Sequence, residues 1–212
     1  LKLLEYSNKY KVNKFIFASS SCVYGNILGS ISEDTTDFKL DTPYAISKLS
    51  GEKYVNFFHE YYNLNVTILR IFNSFGPGEM PGKYRNVIPN FFKKSMSKES
   101  LLITGTGQET RDFNWVGNTV EGFILAAKKK ESNGETFNIG SGVDIKIIDI
   151  AKTIDAITDN KSKIKYLDRR DWDTVINRKA DISKARKILG YNPKIDLEKH
   201  LKLTYNWLKE NI

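Results

Sequence analysis

The 212 residues include one cysteine, two histidines, two methionines and five prolines. Cys22 has no partner for an internal disulfide, and no His/Cys cluster with metal-ligand spacing is present, so no metal is expected and a reducing, cytoplasmic setting is the default. No segment approaches the ~20 consecutive apolar residues of a membrane-spanning helix, which argues against a membrane role. The chain opens neither on methionine nor on a signal segment. Residues 1–6 read instead as part of an amphipathic helix, so a start partway into a larger fold is expected.

Acidic residues are also outnumbered. The formal charge of +8 points to anionic partners, with nucleic acid and nucleotide diphosphates the two classes to weigh. Nucleic acid has no motif behind it beyond charge, and runs such as Lys128-Lys129-Lys130 read as a solvated face. Arginine is the scarcer cation: only Arg70, Arg85, Arg111, Arg169, Arg170, Arg178 and Arg186 occur. A planar guanidinium grips phosphate through two donors at once, so these positions carry more weight than net charge.

Apolar patterning alternates between two periods. Residues 14–18 and 66–72 are short, nearly continuous apolar runs, the signature of parallel strands covered on both faces. Each ends in small polar residues: Ser19-Ser20-Ser21 after the first, Asn73-Ser74 and a Gly/Pro turn after the second. Helical spacing is expected over residues 1–11, 41–62, 86–97, 118–130, 147–159, 182–189 and 197–211. Further strands are expected at 135–140 and 163–167, residues 101–103 lead into a turn or short hairpin at 104–107, and 26–41 reads as a loop. This alternation predicts an α/β fold with a parallel sheet, whose ligands bind beyond the carboxyl ends of its strands.

One helical face carries chemistry. Tyr44 and Lys48 stand four residues apart and therefore share a face. An ammonium beside a phenol favours the phenolate, the form a general base needs, and a strand-end serine can share the proton. The spacing alone is weak, since Tyr10/Lys14 and Tyr205/Lys209 match it too.

The order of motifs is more specific. Ser-Ser-Ser-x-Val-Tyr-Gly (19–25), Tyr44-x-x-x-Lys48, Leu-Arg-x-Phe-Asn-x-x-Gly-Pro-Gly (69–78), Thr-Arg-Asp-Phe (110–113) and Phe-Asn-Ile-Gly-Ser-Gly (137–142) follow one another. In this the chain resembles the extended short-chain dehydrogenase/reductases, most of all the NAD-dependent nucleotide-sugar epimerases of UDP-glucose 4-epimerase type. The resemblance implies the C-terminal part of a Rossmann-like doubly wound parallel sheet with a small mixed α/β substrate-binding lobe. Residues 1–80 and 108–142 would belong to the dinucleotide-binding domain, and 81–107 and 143–212 to the lobe. The family's Gly-x-x-Gly-x-x-Gly turn has no counterpart here, so about four N-terminal strands are expected to be absent, leaving NAD binding by this chain alone weak.

Roles follow from the same resemblance. Ser20 would be the catalytic hydroxyl, Tyr44 the base at the sugar 4-hydroxyl, and Lys48 its activating cation and ribose contact. Ser19 and Phe72, with Tyr44 and Lys48, would meet the cofactor NAD. Ser20, Ser21, Asn73, Asn86, Val87, Arg111, Arg170 and Asp173 would bind a UDP-sugar, the two arginines at its diphosphate and Asp173 at its ribose. Each has a plainer alternative: a turn serine, a helix-surface pair, a core phenylalanine, surface ion pairs. Asp112 is expected to organise its local turn, Cys22 to be a small buried residue, and His59 and His200 to lie on the surface. The family commonly forms homodimers through the helix holding Tyr44 and the one before Phe15, with Leu4, Tyr54 and Phe58 as seam candidates.

Three other readings compete with epimerisation. Dehydratases and decarboxylases of the family carry a carboxylate within the strand-end segment, whereas residues 20–23 read Ser-Ser-Cys-Val. GDP-fucose synthases pair a cysteine at this place with a distant histidine, but that histidine position is Asn86 here. A truncated, non-catalytic binding module is the reading outside enzymology.

Overall fold

A nearly unbroken apolar strand needs cover on both faces, and the chain supplies it by alternating strands with helices. The computed structural model describes residues 1–35, 40, 42–83, 86–161, 163–169 and 175–212. Helix α1 (Lys2–Lys9) leads to β1 (Phe15–Ser20), a 3-10 turn (Ser21–Tyr24) and β2 (Gly29–Ile31). Helix α2 (Pro43–Tyr62) leads to β3 (Val66–Ile71) and β4 (Ser74–Phe75). Next come α3 (Val87–Met96), β5 (Leu101–Thr104), β6 (Thr110–Arg111), β7 (Asn114–Trp115) and α4 (Val116–Lys128). Strands β8 (Glu135–Ile139) and β9 (Ile145–Lys146) precede α5 (Ile147–Thr158), and β10 (Ile164–Leu167) and β11 (Asn177–Ala180) precede α6 (Ser183–Leu189) and α7 (Leu197–Asn211).

The expected α/β class holds. Strands β1, β3 and β8 form a parallel, Rossmann-like sheet in the order β1-β3-β8, with Ser20 opposite Ile71 and Ile71 opposite Ile139. The central strand β3 is buried along Val66–Leu69, whereas Phe15–Ala18 of β1 are only half-buried. Among the described residues β1 pairs with β3 alone, which leaves its other edge open.

Three apolar clusters sit around this sheet. Tyr24, Leu69, Phe72, Phe137 and Ile139 pack with Leu189 and Tyr191 on one side. Leu4, Val55, Phe58 and Ile68 close the other side under α1 and α2. A third cluster, with Phe91, Phe92, Leu101, Ile103, Ile154 and Leu201, joins α3, α5 and α7. Two of the expected seam residues are thereby corrected: Leu4 and Phe58 are spent inside the chain's own core, and of the three only Tyr54 stays exposed.

One sheet was not foreseen. Strands β2, β11, β6 and β9 form a four-stranded mixed sheet, parallel except for the β6–β9 pair, and β2 lies inside the expected loop 26–41. A smaller parallel pair joins β5 to β10, and another joins β4 to β7. His200 is a further correction. It is buried and stacks on Trp115 with ring centroids 4.5 Å apart and planes 6° from parallel. Cys22 is half-buried rather than buried.

Candidate active site at the carboxyl ends of the parallel strands

Helix α2 starts where its sequence says it should. The Thr42 side chain accepts from the Ala45 amide at 3.2 Å, and Pro43 occupies the first turn, where no amide is missed. Tyr44 follows directly and is 53% exposed. One turn on, the Lys48 ammonium donates to the Ala18 carbonyl at 2.8 Å and lies 5.6 Å from the Tyr44 ring centre. It also stands 5.5 Å from the Phe17 ring, so α2 is pinned across the end of β1 with its cation beside the phenol ring.

Ser20 ends β1 in extended conformation and caps the 3-10 turn, its hydroxyl accepting from the Cys22 amide at 3.2 Å. Gly25, at φ 57°, closes that turn. The buried Arg178 guanidinium donates to the Ser21 and Gly25 carbonyls, tying β11 to the serine turn. The strand-end serines and the Tyr44–Lys48 pair are thus brought to one end of β1.

Two residues expected at the cofactor turn inward instead. Ser19 donates its hydroxyl to Glu52 at 2.5 Å, and the Phe72 ring is fully buried against Tyr24. Behind Ser19 lies a polar network that sequence reasoning missed. Glu52 receives Arg70 through both oxygens, at 3.0 Å and 2.8 Å, and Arg70 also donates to the Tyr24 hydroxyl at 3.0 Å. Tyr24 passes its proton toward Asn138 Oδ1 at 2.6 Å. Burial pushes the Tyr24 phenol up to about 12, although Arg70 pulls the other way. Burial opposes the Arg70 charge as well, but the two Glu52 oxygens outweigh it and hold the guanidinium above its ordinary value. A signal did exist: Arg70 interrupts an apolar strand, and Glu52 lies one turn beyond Lys48 on a helix face otherwise holding Ala45 and Val55.

Asn73 leaves β3 beside the end of β1 and opens onto a second feature. A cleft of about 190 Å³ is lined by Asn73, Asn86, Val87 and Arg111, together with Phe91, Ile103 and Glu109. Four of the predicted substrate contacts therefore share one cavity. Asn73 donates to the Asp112 carbonyl at 3.0 Å, and Asn86 donates to the Ser74 carbonyl and the Glu79 carboxylate, both at 3.1 Å. The Arg111 guanidinium donates to the Val175 carbonyl at 3.0 Å, which Arg169 also reaches, at 2.6 Å. Arg170 and Asp173 lie outside the described residues.

Asp112 is structural, but it holds distant backbone rather than the local turn expected of it. Its carboxylate accepts from the Ser141 amide (2.7 Å) and hydroxyl (2.6 Å), and from the Gly142 and Ala180 amides (3.0 Å each). Burial pushes its carboxyl upward, against those four donors. His59 likewise serves the fold, its Nδ1 lying 2.9 Å from the Leu64 carbonyl. No group of three or more potential metal ligands occurs among the described residues, and no helix of the described chain is long and apolar enough to cross a membrane.

Comparison with known proteins supplies the family. The profile of the NAD dependent epimerase/dehydratase family matches residues 1–140. The solved structure of epimerase Mth375 from Methanothermobacter thermautotrophicus is similar over 99% of this chain and 63% of that one, at 42% identity and a TM-score of 0.96. UDP-glucuronic acid 4-epimerase from Bacillus cereus, solved with UDP-glucuronic acid and NAD, is similar over 99% and 65%, at 32% identity and a TM-score of 0.90. UDP-N-acetyl-alpha-D-glucosaminuronate decarboxylase of Bacillus cytotoxicus is 35% identical over 93% of this chain and 64% of its own length. The chain thus spans less than two thirds of each of the three.

Proposed function

The chain belongs to the NAD dependent epimerase/dehydratase family, and from that premise we propose that its protein inverts C4 of a nucleoside-diphosphate hexose, a UDP-sugar, through a transient 4-keto form. The observation that carries this reading is the Lys48 ammonium, fixed by the Ala18 carbonyl at 2.8 Å and lying 5.6 Å from the Tyr44 ring centre. The fit to a dinucleotide is partial. A lysine beside an exposed tyrosine at a strand's carboxyl end suits the nicotinamide-ribose end, while no glycine-rich strand-to-helix turn for the pyrophosphate occurs among the described residues. When bound, NAD supplies the hydride acceptor and donor.

The chain's own residues do the rest. Tyr44 takes the proton of the sugar 4-hydroxyl, Ser20 shares that hydrogen bond, and Lys48 keeps positive charge beside the phenol oxygen. Arg111, at the mouth of the cleft with Asn73, holds the diphosphate while the keto sugar turns over and presents its opposite face. Fixed positive charge around a phosphate that does not move makes that turnover a rotation rather than a release.

The family also holds a decarboxylase and dehydratases. Epimerisation is favoured because residues 20–23 carry no Asp or Glu to drive proton chemistry at C5 or C6. The test uses the whole protein that contains this chain, incubated with NAD and a UDP-hexose and followed by proton NMR at the anomeric signals. The C4 epimer should accumulate to equilibrium, and Tyr44→Phe should slow it by about 10²–10⁴-fold. A Tyr44→Phe protein at half the wild-type rate or better, or a product that has lost water, overturns the reading.

The same reading includes a homodimer. Leu3 and Tyr6 of α1, with Tyr10 just past its end, form one row, and Tyr54, Phe57 and Tyr61 line one face of α2, all exposed. A second copy covering both rows would remove them from water.

A further inference from the structure

The Tyr44 hydroxyl makes no hydrogen bond among the described residues, so its place is set by whatever holds the backbone on either side of it. Arg70 supplies that hold from both sides. Downstream, its Nε and Nη2 meet the two oxygens of Glu52 at 3.0 Å and 2.8 Å. Glu52 stands on α2 about 12 Å along the axis from Tyr44. The same carboxylate takes the Ser19 hydroxyl at 2.5 Å, and the neighbouring Ala18 carbonyl holds Lys48, so α2 is tied to β1 at the two residues ahead of Ser20. Upstream, Arg70 Nη1 donates to the Glu33 carbonyl at 3.0 Å. Glu33 is fixed in turn by its Oε1, which accepts from the Asn138 amide at 2.7 Å, while Asn138 Nδ2 donates to the Ile31 carbonyl at 2.9 Å. The chain thus leaves one guanidinium at Glu33 and returns to it at Glu52, with Tyr44 in between.

Stability alone does not call for a charged pair here. Both side chains are largely buried, and desolvation offsets most of their attraction, so an apolar pair of like size would hold the core as well. What apolar side chains lack is direction. The planar guanidinium aims donors at the Glu52 carboxylate from one edge and at the Glu33 carbonyl and the Tyr24 hydroxyl from another. A lysine at this place has a single nitrogen and cannot span both edges. We propose that Arg70 is a positioning residue for the reaction, setting Tyr44 against Ser20 through its ties to Glu33 and Glu52. This rests on reading Tyr44 as the base.

The test separates position from stability, in the whole protein that contains this chain. Arg70→Met leaves Glu52 charged and alone, whereas Glu52→Leu/Arg70→Met leaves neither charge. Both variants should lose about 10–100-fold in kcat on a UDP-hexose with KM within about twofold of wild type, although the double variant regains most of the melting temperature. Arg70→Lys keeps a cation beside Glu52, so its kcat should fall between wild type and Arg70→Met, and it carries the test if the methionine variant does not fold. Amide exchange followed by mass spectrometry should quicken over the first turns of α2 (43–50) in these variants and not over its last turns (55–62). A double variant that regains wild-type kcat along with its stability makes Arg70 a structural residue and overturns the proposal. So does a rise in KM that accounts for the loss, or unchanged exchange over 43–50. Tyr44→Phe at half the wild-type rate or better overturns the base reading and this proposal with it, whereas a slow Tyr44→Phe beside a fast double variant overturns this proposal alone.

Discussion

Glu52 is the residue on which the end of β1 and helix α2 both depend. Its carboxylate joins Ser19 of β1 to Arg70 of β3, one turn below Lys48, and its side chain and that of Arg70 are only 3% and 12% exposed. Such a pair gives geometry more than stability, because desolvating two charges offsets most of their attraction. Removing one partner is different, since it leaves a buried charge alone. Glu52→Leu should therefore lower unfolding stability by roughly 3–5 kcal/mol, while the double change Glu52→Leu/Arg70→Met should cost clearly less than the single one. Urea unfolding of wild type, the two single variants Glu52→Leu and Arg70→Met, and the double variant decides it. If the double variant is as unstable as the sum of its parts, the pair is not coupled and does not position β1. Arg70 could be picked out in the sequence as a charge within an apolar run. Its partner could not, because a helix face fixes direction but not what lies opposite.

At the scale of elements, α7 shows both the reach and the failure of periodicity. Its span was legible from residue spacing, and so were α2, β3 and α5, because long amphipathic helices and unbroken apolar strands announce themselves. The buried side of α7 includes His200 and Thr204 beside Leu201 and Leu208, a face that reading histidine as polar hides. Strands β2 and β11 were illegible for another reason. Gly-Ser-Ile and Asn-Arg-Lys-Ala have no alternation of their own, and their pairing joins segments about 150 residues apart. Of the candidate site, Tyr44, Lys48, Asn73 and Arg111 fall within the ordered motifs and Asn86 and Val87 come only from the family resemblance, whereas the inward turn of Ser19 and Phe72 depends on tertiary neighbours.

His200 makes α7 sensitive to acid. Burial against Trp115, with Lys199 and Lys194 nearby, holds its imidazole below the ordinary value despite Asp196. The folded chain keeps this ring neutral while the unfolded chain protonates it, so unfolding takes up a proton. Stability should fall as pH drops through about 6.5, the unfolded value, and this contribution should level off below the folded value. His200→Phe preserves the stack and removes the titration. Its urea midpoint should change less between pH 7.5 and 5.5 than that of wild type, and an identical pH dependence in the two chains would show that His200 is not the group responsible.

For the whole molecule the unbalanced feature is β1. A parallel strand is ordinarily covered on both faces, yet β1 is half-buried and, among the described residues, paired on one edge, while β3 beside it is buried and paired on both. Next to it lie the exposed rows of α1 and α2, where the Phe57 and Tyr61 rings meet at a 33° tilt with centres 4.7 Å apart. An open edge and an apolar face both invite a second chain, but they invite different ones. Edge pairing is backbone-driven and indifferent to side chains on α2, whereas a helix-to-helix contact is governed by them. Light scattering behind a sizing column separates the two. If the helices form the contact, the 212-residue chain should run as a discrete dimer, and Tyr54→Lys with Phe57→Glu should return it to monomer without lowering its melting temperature by more than a few degrees, because both side chains already face solvent. If the edge dominates, that variant should still form open-ended oligomers, and a lysine placed at Phe15 or Phe17 should be what suppresses them. A discrete dimer that survives the α2 changes would refute the helical seam and move the contact to another face.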